Sequence, residues 1–170
     1  RFKSHPEIRK QFEGARRLSY GARAISAGGF QSIPKLTFPG GLLMGDCAGF
    51  LNVPKIKGTH TAMKSGMTAA EAVFDALKGG QPHGQEVKSY AERLSKTWMW
   101  DELHRVRNIN PSFHWGLPAA MAYSAIDTSL FRGKAPWTLR HRPDHLQLKP
   151  AAECQPINYP KPDGVLTFDR

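Results

Sequence analysis

The chain has 170 residues, and 40% of them are hydrophobic, which is enough apolar material for one globular domain with a core of its own. Its two cysteines, Cys47 and Cys154, are far apart in sequence, which excludes a disulfide framework or a clustered thiolate site made by this chain alone. The net charge of +10 favours an anionic partner but not nucleic acid, because no nucleic-acid-binding motif occurs and aromatic residues do not alternate with basic ones.

The N-terminal part of the chain predicts one helix and one strand. Residues 6–12 are polar and begin with a proline, so we expect a short helix that stops near Gly14. The imperfect alternation over 18–25 predicts a strand, which the glycine pair at 28–29 closes. The sequence begins without methionine and ends on residues typical of the start of a strand, so we expect a piece of a longer protein.

The middle of the chain contains the clearest elements. The apolar run 40–46 lies between glycines, which is typical of a strand buried on both faces of a parallel or mixed sheet. Residues 59–77 are rich in alanine and methionine and predict a long helix, with Thr59 as its hydroxyl cap and two glycines after its end. A second helix is predicted over 85–106, and the proline-rich tail from residue 133 onward predicts an extended loop.

The joint between the buried strand and the long helix is the part of the chain best suited to a ligand. The strand ends at Gly45 and Asp46, where the glycine lets backbone approach a ligand and the carboxylate can accept hydrogen bonds from polyol hydroxyls. The loop then leads to Gly58 and Thr59 at the helix start, where free amides and the positive dipole end favour negative charge. Both features suit a flavin dinucleotide.

The residues of this joint are similar to the second FAD motif of the electron-transfer flavoprotein–ubiquinone oxidoreductases. The similar run covers 41–66, and its most specific part is the string Asn-Val-Pro-Lys-Ile-Lys-Gly-Thr-His-Thr-Ala-Met-Lys-Ser-Gly that starts at Asn52. The resemblance covers nearly the whole chain, apart from the linker near Gly80 and residues 114–132. It continues through residues 28–36, 106–109, 136–139 and 159–164.

The resemblance implies the α/β fold class, or α+β for the isolated chain. The expected fold is a partial FAD-dependent oxidoreductase domain with a mixed sheet and a central helix after the Gly-Asp motif. Residues 1–80 are expected to form the C-terminal half of the FAD domain with adjoining strands of the quinone-binding domain. Residues 81–132 are expected to form a helical, membrane-interfacial region. Residues 133–170 are expected to form an extended proline-rich segment that leads to a ferredoxin-like domain outside the chain.

The resemblance also implies a function. The family transfers electrons from a reduced electron-transfer flavoprotein through FAD and one [4Fe–4S] cluster to ubiquinone, at the mitochondrial inner membrane or the bacterial cytoplasmic membrane. The expected partners are therefore the electron-transfer flavoprotein, ubiquinone and an anionic membrane surface. Neither the cluster cysteines nor the Gly-x-Gly-x-x-Gly sequence that cradles the FAD pyrophosphate occurs in this sequence, so we expect the chain alone to be inactive.

Seven residues are expected to bind the cofactor by this resemblance. The carboxylate at the strand end would contact the ribityl chain, and the helix start would face the pyrimidine edge of the flavin. No residue of the chain is expected to be catalytic or to bind a metal. The expected cofactor-binding residues are Gly45, Asp46, Gly49, Gly58, Thr59, His60 and Thr61.

Several interpretations stay open at the level of sequence. Asp46 can instead cap a local turn, and His60 can either donate a proton or only pack and hydrogen-bond. Cys47 is more typical of a small core residue than of a redox thiol. Residues 85–106 combine basic and aromatic side chains, which suits a lipid surface or a core helix. The alternative functions are a geranylgeranyl-reductase-like FAD enzyme without a cluster and a basic membrane-binding module.

Overall fold

The structure is a computed structural model that describes residues 2–16, 18–158 and 161. The chain divides into two compact units, one formed by Arg1–Arg23 with Pro143–Arg170 and the other by Ala24–Arg142. All of the predicted site residues belong to the second unit. The domain boundaries expected from the resemblance stay a prediction.

The first unit contains short helical turns only, among its described residues. They are helix α1, Pro6–Arg9, and two 3-10 turns at Asp144–Gln147 and Ala151–Glu153, which interrupt the tail that the sequence predicts to be extended. Helix α1 begins at a proline, and the His5 ring caps it by accepting a hydrogen bond of 3.3 Å from the amide two residues further on. The helix predicted over 6–12 is therefore confirmed for its first turn.

The strand predicted over 18–25 does not form, because this stretch has no regular secondary structure. Its apolar side chains face solvent, and Leu18, Tyr20 and Ile25 are exposed to 90%, 85% and 52%. A strand needs a partner that satisfies its backbone groups, and no strand in the described part of the chain pairs with this stretch. Alternation of side chains was therefore not enough to define a strand here.

The described residues of the second unit contain one small sheet. It is a hairpin of two antiparallel strands, β1 at Thr37–Phe38 and β2 at Gly41–Leu42. The strand predicted over 40–46 is confirmed only near its start, since the chain then turns into a 3-10 turn at Gly45–Ala48. The prediction that it is buried on both faces is wrong, because β2 is half-buried in this antiparallel pair. The larger mixed sheet expected from the resemblance stays a prediction.

The long predicted helix is confirmed as α2, Thr59–Lys78. Its N-cap position is occupied by Gly58, so the prediction that Thr59 caps the helix is wrong, and Thr59 is instead the first helical residue. The helix ends where the Gly79 amide donates to the carbonyl of Asp75 at 2.9 Å. One face of small side chains is buried, and it consists of Thr61, Ser65, Thr68, Ala69 and Ala72.

The single helix predicted over 85–106 is wrong, because two helices occupy this stretch. They are α3, Ser89–Ser95, and α4, Trp98–Arg105. The chain breaks at Thr97, whose backbone is extended with φ −90° and ψ 154°, and whose hydroxyl donates to the carbonyl of Leu94 at 2.7 Å. The break lets both helices turn apolar side chains toward one core.

The core of the second unit lies where α2, α3 and α4 meet. Tyr90, Leu94 and Met99 are 0% exposed, and burial of an apolar side chain such as Leu94 or Met99 stabilises the fold by about 1.5–3 kcal/mol. The core interpretation of residues 85–106 is therefore confirmed for these side chains, which are not available to lipid. The other buried members of the core are Leu36, Ala48, Phe50, Ala69, Ala72 and Leu103.

Two further helices follow, α5 at Ile109–Ser112 and α6 at Leu117–Ser129, joined by a 3-10 turn at Phe113–Trp115. The chain after α6 is fixed by Arg107, whose guanidinium is buried among backbone carbonyls of that segment. The accepting carbonyls and their distances are Gly133 at 3.1 Å, Ala135 at 2.6 Å and Trp137 at 3.0 Å.

Candidate functional site

The turn after β2 is fixed against the first turns of α2. The Gly45 amide donates to the Ser65 hydroxyl at 2.9 Å, and that hydroxyl donates to the carbonyl of Ala62 at 2.9 Å. Gly45 has φ 61°, and a Cβ at this position would lie 3.3 Å from the Ala62 Cβ. Both the backbone conformation and the close approach therefore require glycine.

Backbone atoms close the turn around Asp46. The Gly49 amide donates to the Asp46 carbonyl at 3.0 Å, and the Phe50 amide donates to the Gly45 carbonyl at 3.2 Å. Gly49 has φ 75°, which favours glycine. The Asp46 side chain is half-buried at this turn, and the Cys47 side chain next to it is exposed, so the prediction of a core role for Cys47 is wrong.

The loop between the turn and α2 is a small closed hairpin. Asn52 and Lys57 form an antiparallel bridge, with amide-to-carbonyl distances of 3.0 Å and 3.3 Å. The Asn52 side-chain oxygen accepts from the Lys55 amide at 3.2 Å and so closes the loop from inside. Ile56 at its tip has φ 52° and is 80% exposed. The loop therefore has one defined conformation that leads directly into the start of α2.

The residues at the start of α2 have different environments. The buried Thr61 hydroxyl donates to the carbonyl of Phe50 and, at 2.7 Å, to the carbonyl of Gly58, so it ties the helix to the loop. Thr59 is exposed at the first helical position. The first amides of a helix have no acceptor within the helix, so this end presents donors and positive dipole charge.

The carboxylate of Glu102 on α4 connects the loop and the helix start. Its Oε1 atom accepts from Asn52 Nδ2 at 2.7 Å, from Lys55 Nζ at 3.1 Å and from His60 Nε2 at 2.9 Å. Burial raises the pKa of the Glu102 carboxyl, but the hydrogen bonds from His60, Asn52 and Lys55 outweigh it and lower that pKa to about 2. Glu102 is therefore ionised at neutral pH. The His60 ring also stacks on Trp98, with centroids 5.9 Å apart.

The structure brings all seven predicted site residues into one region, the turn, the loop end and the first helical turn. Sequence analysis missed Ser65 and Glu102. Ser65 has a weak signal, because it lies one helical turn after Thr61 on a face otherwise made of small residues. Glu102 has none, since it follows His60 by 42 residues and nothing in its neighbourhood marks it. The assignment of the seven residues to a cofactor stays a prediction.

Comparisons with known proteins decide the family. No family model matches the chain. The chain is 55% identical over 176 residues to the mitochondrial electron transfer flavoprotein-ubiquinone oxidoreductase of Rattus norvegicus, in a match that covers 99% of this chain and 29% of that protein. The chain belongs to the electron transfer flavoprotein–ubiquinone oxidoreductase family. The family resemblance read from the sequence is thereby confirmed.

Members of the electron transfer flavoprotein–ubiquinone oxidoreductase family from distant organisms match the same share of this chain. The protein of that name from Dictyostelium discoideum is 50% identical over 182 residues, and the one from Oryza sativa subsp. japonica is 52% identical over 170 residues. Each match covers 99% of this chain, but the chain spans only 30% and 29% of the two relatives.

The hydrogen bonds of Glu102 predict a pH-dependent contribution to stability. The pKa of Glu102 is about 2 in the folded chain, against an ordinary value of 4.5. Its ionised carboxylate therefore stabilises the fold above pH 4.5, and this stabilisation is lost as the pH falls toward 2. Glu102→Gln should therefore lower the free energy of unfolding at pH 7 by about 1.5–3 kcal/mol, with the difference from the unmodified chain shrinking below pH 4.5. Urea unfolding at several pH values measures this.

The control for this prediction is Glu92→Gln, which removes an exposed carboxylate from α3. It should change the free energy of unfolding by less than about 0.5 kcal/mol at every pH. Equal effects of the two substitutions would show that the hydrogen bonds from the three donors to the Glu102 carboxylate do not stabilise the fold.

Proposed function

We propose that the chain is the part of a longer FAD-dependent oxidoreductase that holds the ribityl and isoalloxazine portions of the cofactor. In that enzyme, called the full-length protein below, electrons pass from reduced electron-transfer flavoprotein through FAD and a [4Fe–4S] cluster to ubiquinone. The observation that carries the proposal is the hydrogen bond from the Gly45 amide to the Ser65 hydroxyl, which holds the Asp46 turn against the first turns of α2. The names of the relatives support the activity.

The residues of the site fit this part of FAD. The turn has positive φ at Gly45 and Gly49, so its backbone can approach a ligand without side chains in between. Asp46 is half-buried between them, and a carboxylate in that position can accept charge-assisted hydrogen bonds from ribityl hydroxyls. Thr59 and the free amides of α2 can donate to a ring edge that becomes negative on reduction.

The chain's own contribution to electron transfer is positional and electrostatic. FAD, when bound, supplies the electron-accepting and electron-donating chemistry. The positive end of α2 stabilises negative charge placed beside it and therefore raises the reduction potential of a group at that end. Thr61 acts indirectly, because its hydroxyl donates hydrogen bonds to backbone carbonyls of the loop and keeps the helix start in place.

An exposed apolar stripe on α2 supports the proposal that further polypeptide packs on this unit. Met63, Met67, Phe74 and Leu77 recur at helical spacing and are exposed to 65%, 57%, 63% and 53%. A contiguous apolar surface of this kind is typical of an interface. In the proposed enzyme the stripe packs against the segment that carries the pyrophosphate-binding half of the FAD site, and the cluster ligands also lie in the part that this chain does not span.

A second exposed apolar surface supports contact with a membrane. Within the described residues, no helix is both long enough and apolar enough to cross a bilayer. The stretch that contains α6 nevertheless exposes large apolar side chains that suit a position at a lipid surface. They are Phe113, Trp115, Leu117, Met121, Ile126 and Leu130, exposed to between 46% and 74%. This surface lies within residues 81–132, the region that was expected to be interfacial.

The comparisons favour the oxidoreductase over the other candidate functions. The three relatives named above, from a mammal, an amoeba and a plant, are all named as mitochondrial electron transfer flavoprotein-ubiquinone oxidoreductases. These names support a mitochondrial location for the full-length protein, and we propose that it lies at the inner membrane. No feature of the site favours carbon–carbon bond reduction or a non-catalytic role.

Purification of the full-length protein tests the proposed function directly. Its absorbance spectrum should show bound flavin together with an iron–sulfur cluster, and it should reduce ubiquinone with electrons from reduced electron-transfer flavoprotein. A colourless protein, or one with flavin but no ubiquinone reduction, would refute the proposal.

The role of Asp46 predicts weaker FAD binding on its removal. Asp46→Ala in the full-length protein should raise the dissociation constant of FAD by the equivalent of about 1.5–3 kcal/mol, because a charge-assisted hydrogen bond is lost. Flavin release measured by fluorescence gives the constant. Glu71→Ala, which removes an exposed carboxylate from the middle of α2, should leave it unchanged. Equal affinity in both variants would mean that Asp46 only shapes the turn.

The exposed hydroxyl of Thr59 predicts an effect on the flavin reduction potential. Thr59→Ala in the full-length protein should lower that potential by roughly 40 mV if the hydroxyl contributes about 1 kcal/mol in a one-electron step, and the cluster potential should not move. Thr59→Ser, which keeps the hydroxyl, should retain most of the original value. Spectroelectrochemical titration measures both. A flavin potential unchanged in both variants would contradict the proposed contact.

The apolar stripe of α2 predicts protection from labelling. Met67→Cys in the detergent-solubilised full-length monomer should react with a hydrophilic maleimide much more slowly than Asp75→Cys, whose exposed position lies on the same helix but off the stripe. Mass spectrometry of the labelled peptide gives the rate. Rapid labelling of both cysteines would show that no polypeptide covers the stripe, and protection only in a dimer would assign it to a second copy.

A further inference from the structure

Of the three donors to Glu102, only His60 belongs to a residue type that can change charge near neutral pH. Lys55 is a cation and Asn52 is neutral throughout the physiological range, whereas histidine titrates there. The side chain of His60 is 35% exposed, and its Nε2 lies 2.9 Å from Glu102 Oε1. Because the ionised carboxylate can only accept, Nε2 must carry the proton of this hydrogen bond. A further proton can therefore bind only at Nδ1.

Two opposing fields act on this second proton. His60 is the second residue of α2, where the positive helix end disfavours an imidazolium. The Glu102 carboxylate at 2.9 Å favours it. Because the two fields oppose each other, the binding of this second proton is sensitive to any third charge brought to the helix start.

The remaining charged groups around His60 are partly balanced. Lys55 shares the same Glu102 oxygen and is itself half exposed. Asp101 and Arg105 line the same side of α4 and carry opposite charges. Asp46 lies in the turn that packs on α2, and Lys64 follows one helical turn further along. An open cleft of about 440 Å³ is bordered by Asn52, Lys55, Trp98 and Glu102, on the carboxylate side of the His60–Glu102 pair.

We propose that His60 takes up one proton from solvent when negative charge arrives at the start of α2, and that Glu102 is the positioning residue that orients the ring for it. The inference rests on the proposed function, in which the charge is an electron delivered to FAD by reduced electron-transfer flavoprotein. The proton adds to Nδ1 and leaves solvent hydroxide, which the bulk buffer neutralises. Nε2 keeps its proton and its bond to Glu102, so no other bond changes.

The proton uptake makes the flavin potential depend on pH through His60. Because one proton is taken up with one electron, the potential should fall by up to about 59 mV for each unit of rising pH. The measurement is spectroelectrochemical titration of the detergent-solubilised full-length protein between about pH 5.5 and 8.5, a range centred on ordinary histidine titration. Redox difference infrared spectra with labelled histidine should show imidazolium formed on reduction.

Three variants decide the outcome. His60→Gln should remove the imidazolium bands and this part of the pH dependence, and Glu102→Gln should shift this part because the ring loses its anionic partner. His83→Gln is the matched control, since His83 lies beyond the opposite end of α2, a helix of 20 residues that is about 30 Å long. It should reproduce the unmodified protein. If His60→Gln releases its flavin, the shift expected of Glu102→Gln decides alone.

Failure of the inference is distinguishable from failure of the proposed function. Flavin bound and reducible in the unmodified protein, with the same pH dependence in His60→Gln and Glu102→Gln, would overturn the inference and leave the proposed function intact. A full-length protein that binds no flavin would overturn both.

Discussion

The hydroxyl of Ser65 joins the two halves of the candidate site, and the geometry of the rest follows from it. It accepts from the Gly45 amide and donates to the Ala62 carbonyl, both at 2.9 Å, so the turn after β2 is attached to α2 within two turns of the helix start. Gly45 has a positive φ and lies so close to Ala62 that an added Cβ would be only 3.3 Å from the Ala62 Cβ. The spacing between the Asp46 turn and the positive end of α2 is therefore set by the buried hydroxyl of Ser65 and by the glycine at position 45, which has no side chain.

A second attachment acts from the other side of the helix start. Glu102 places an ionised carboxylate near a helix end that already favours negative charge, and it does so with Asn52, Lys55 and His60 all donating to one oxygen atom. The three donors are what makes a half-buried anion stable there, as its lowered pKa shows. The same contacts hold the loop closed against α4. The site thus combines rigid backbone on the Gly45 side with a charge-sensitive cluster on the His60 side.

Sequence analysis succeeded where residues close in sequence determine the structure and failed where distant residues or a single side-chain contact determine it. Helix α2 was predictable, because alanine-rich composition and terminal glycines act locally. The strand expected over 18–25 failed, because strand formation depends on a distant partner. The break at Thr97 was missed, since one side-chain hydrogen bond to the preceding turn decides it. The role of Glu102 depends on contacts across 42 residues, which no local pattern encodes.

The two exposed apolar surfaces of the second unit differ in what surrounds them. The stripe on α2 is flanked by the charged residues Lys64, Glu71, Asp75 and Lys78, as expected of a helix that packs against protein on one side and meets water beside it. Helix α6 contains a single ionisable residue that carries charge at neutral pH when exposed, Asp127, and it is 1% exposed. Burial raises the pKa of Asp127 and so favours its neutral form, although the positive charge of Arg107 acts in the opposite direction. An outer surface of α6 without charge suits the low-dielectric edge of a membrane, whereas the flanked stripe of α2 suits another part of the same protein.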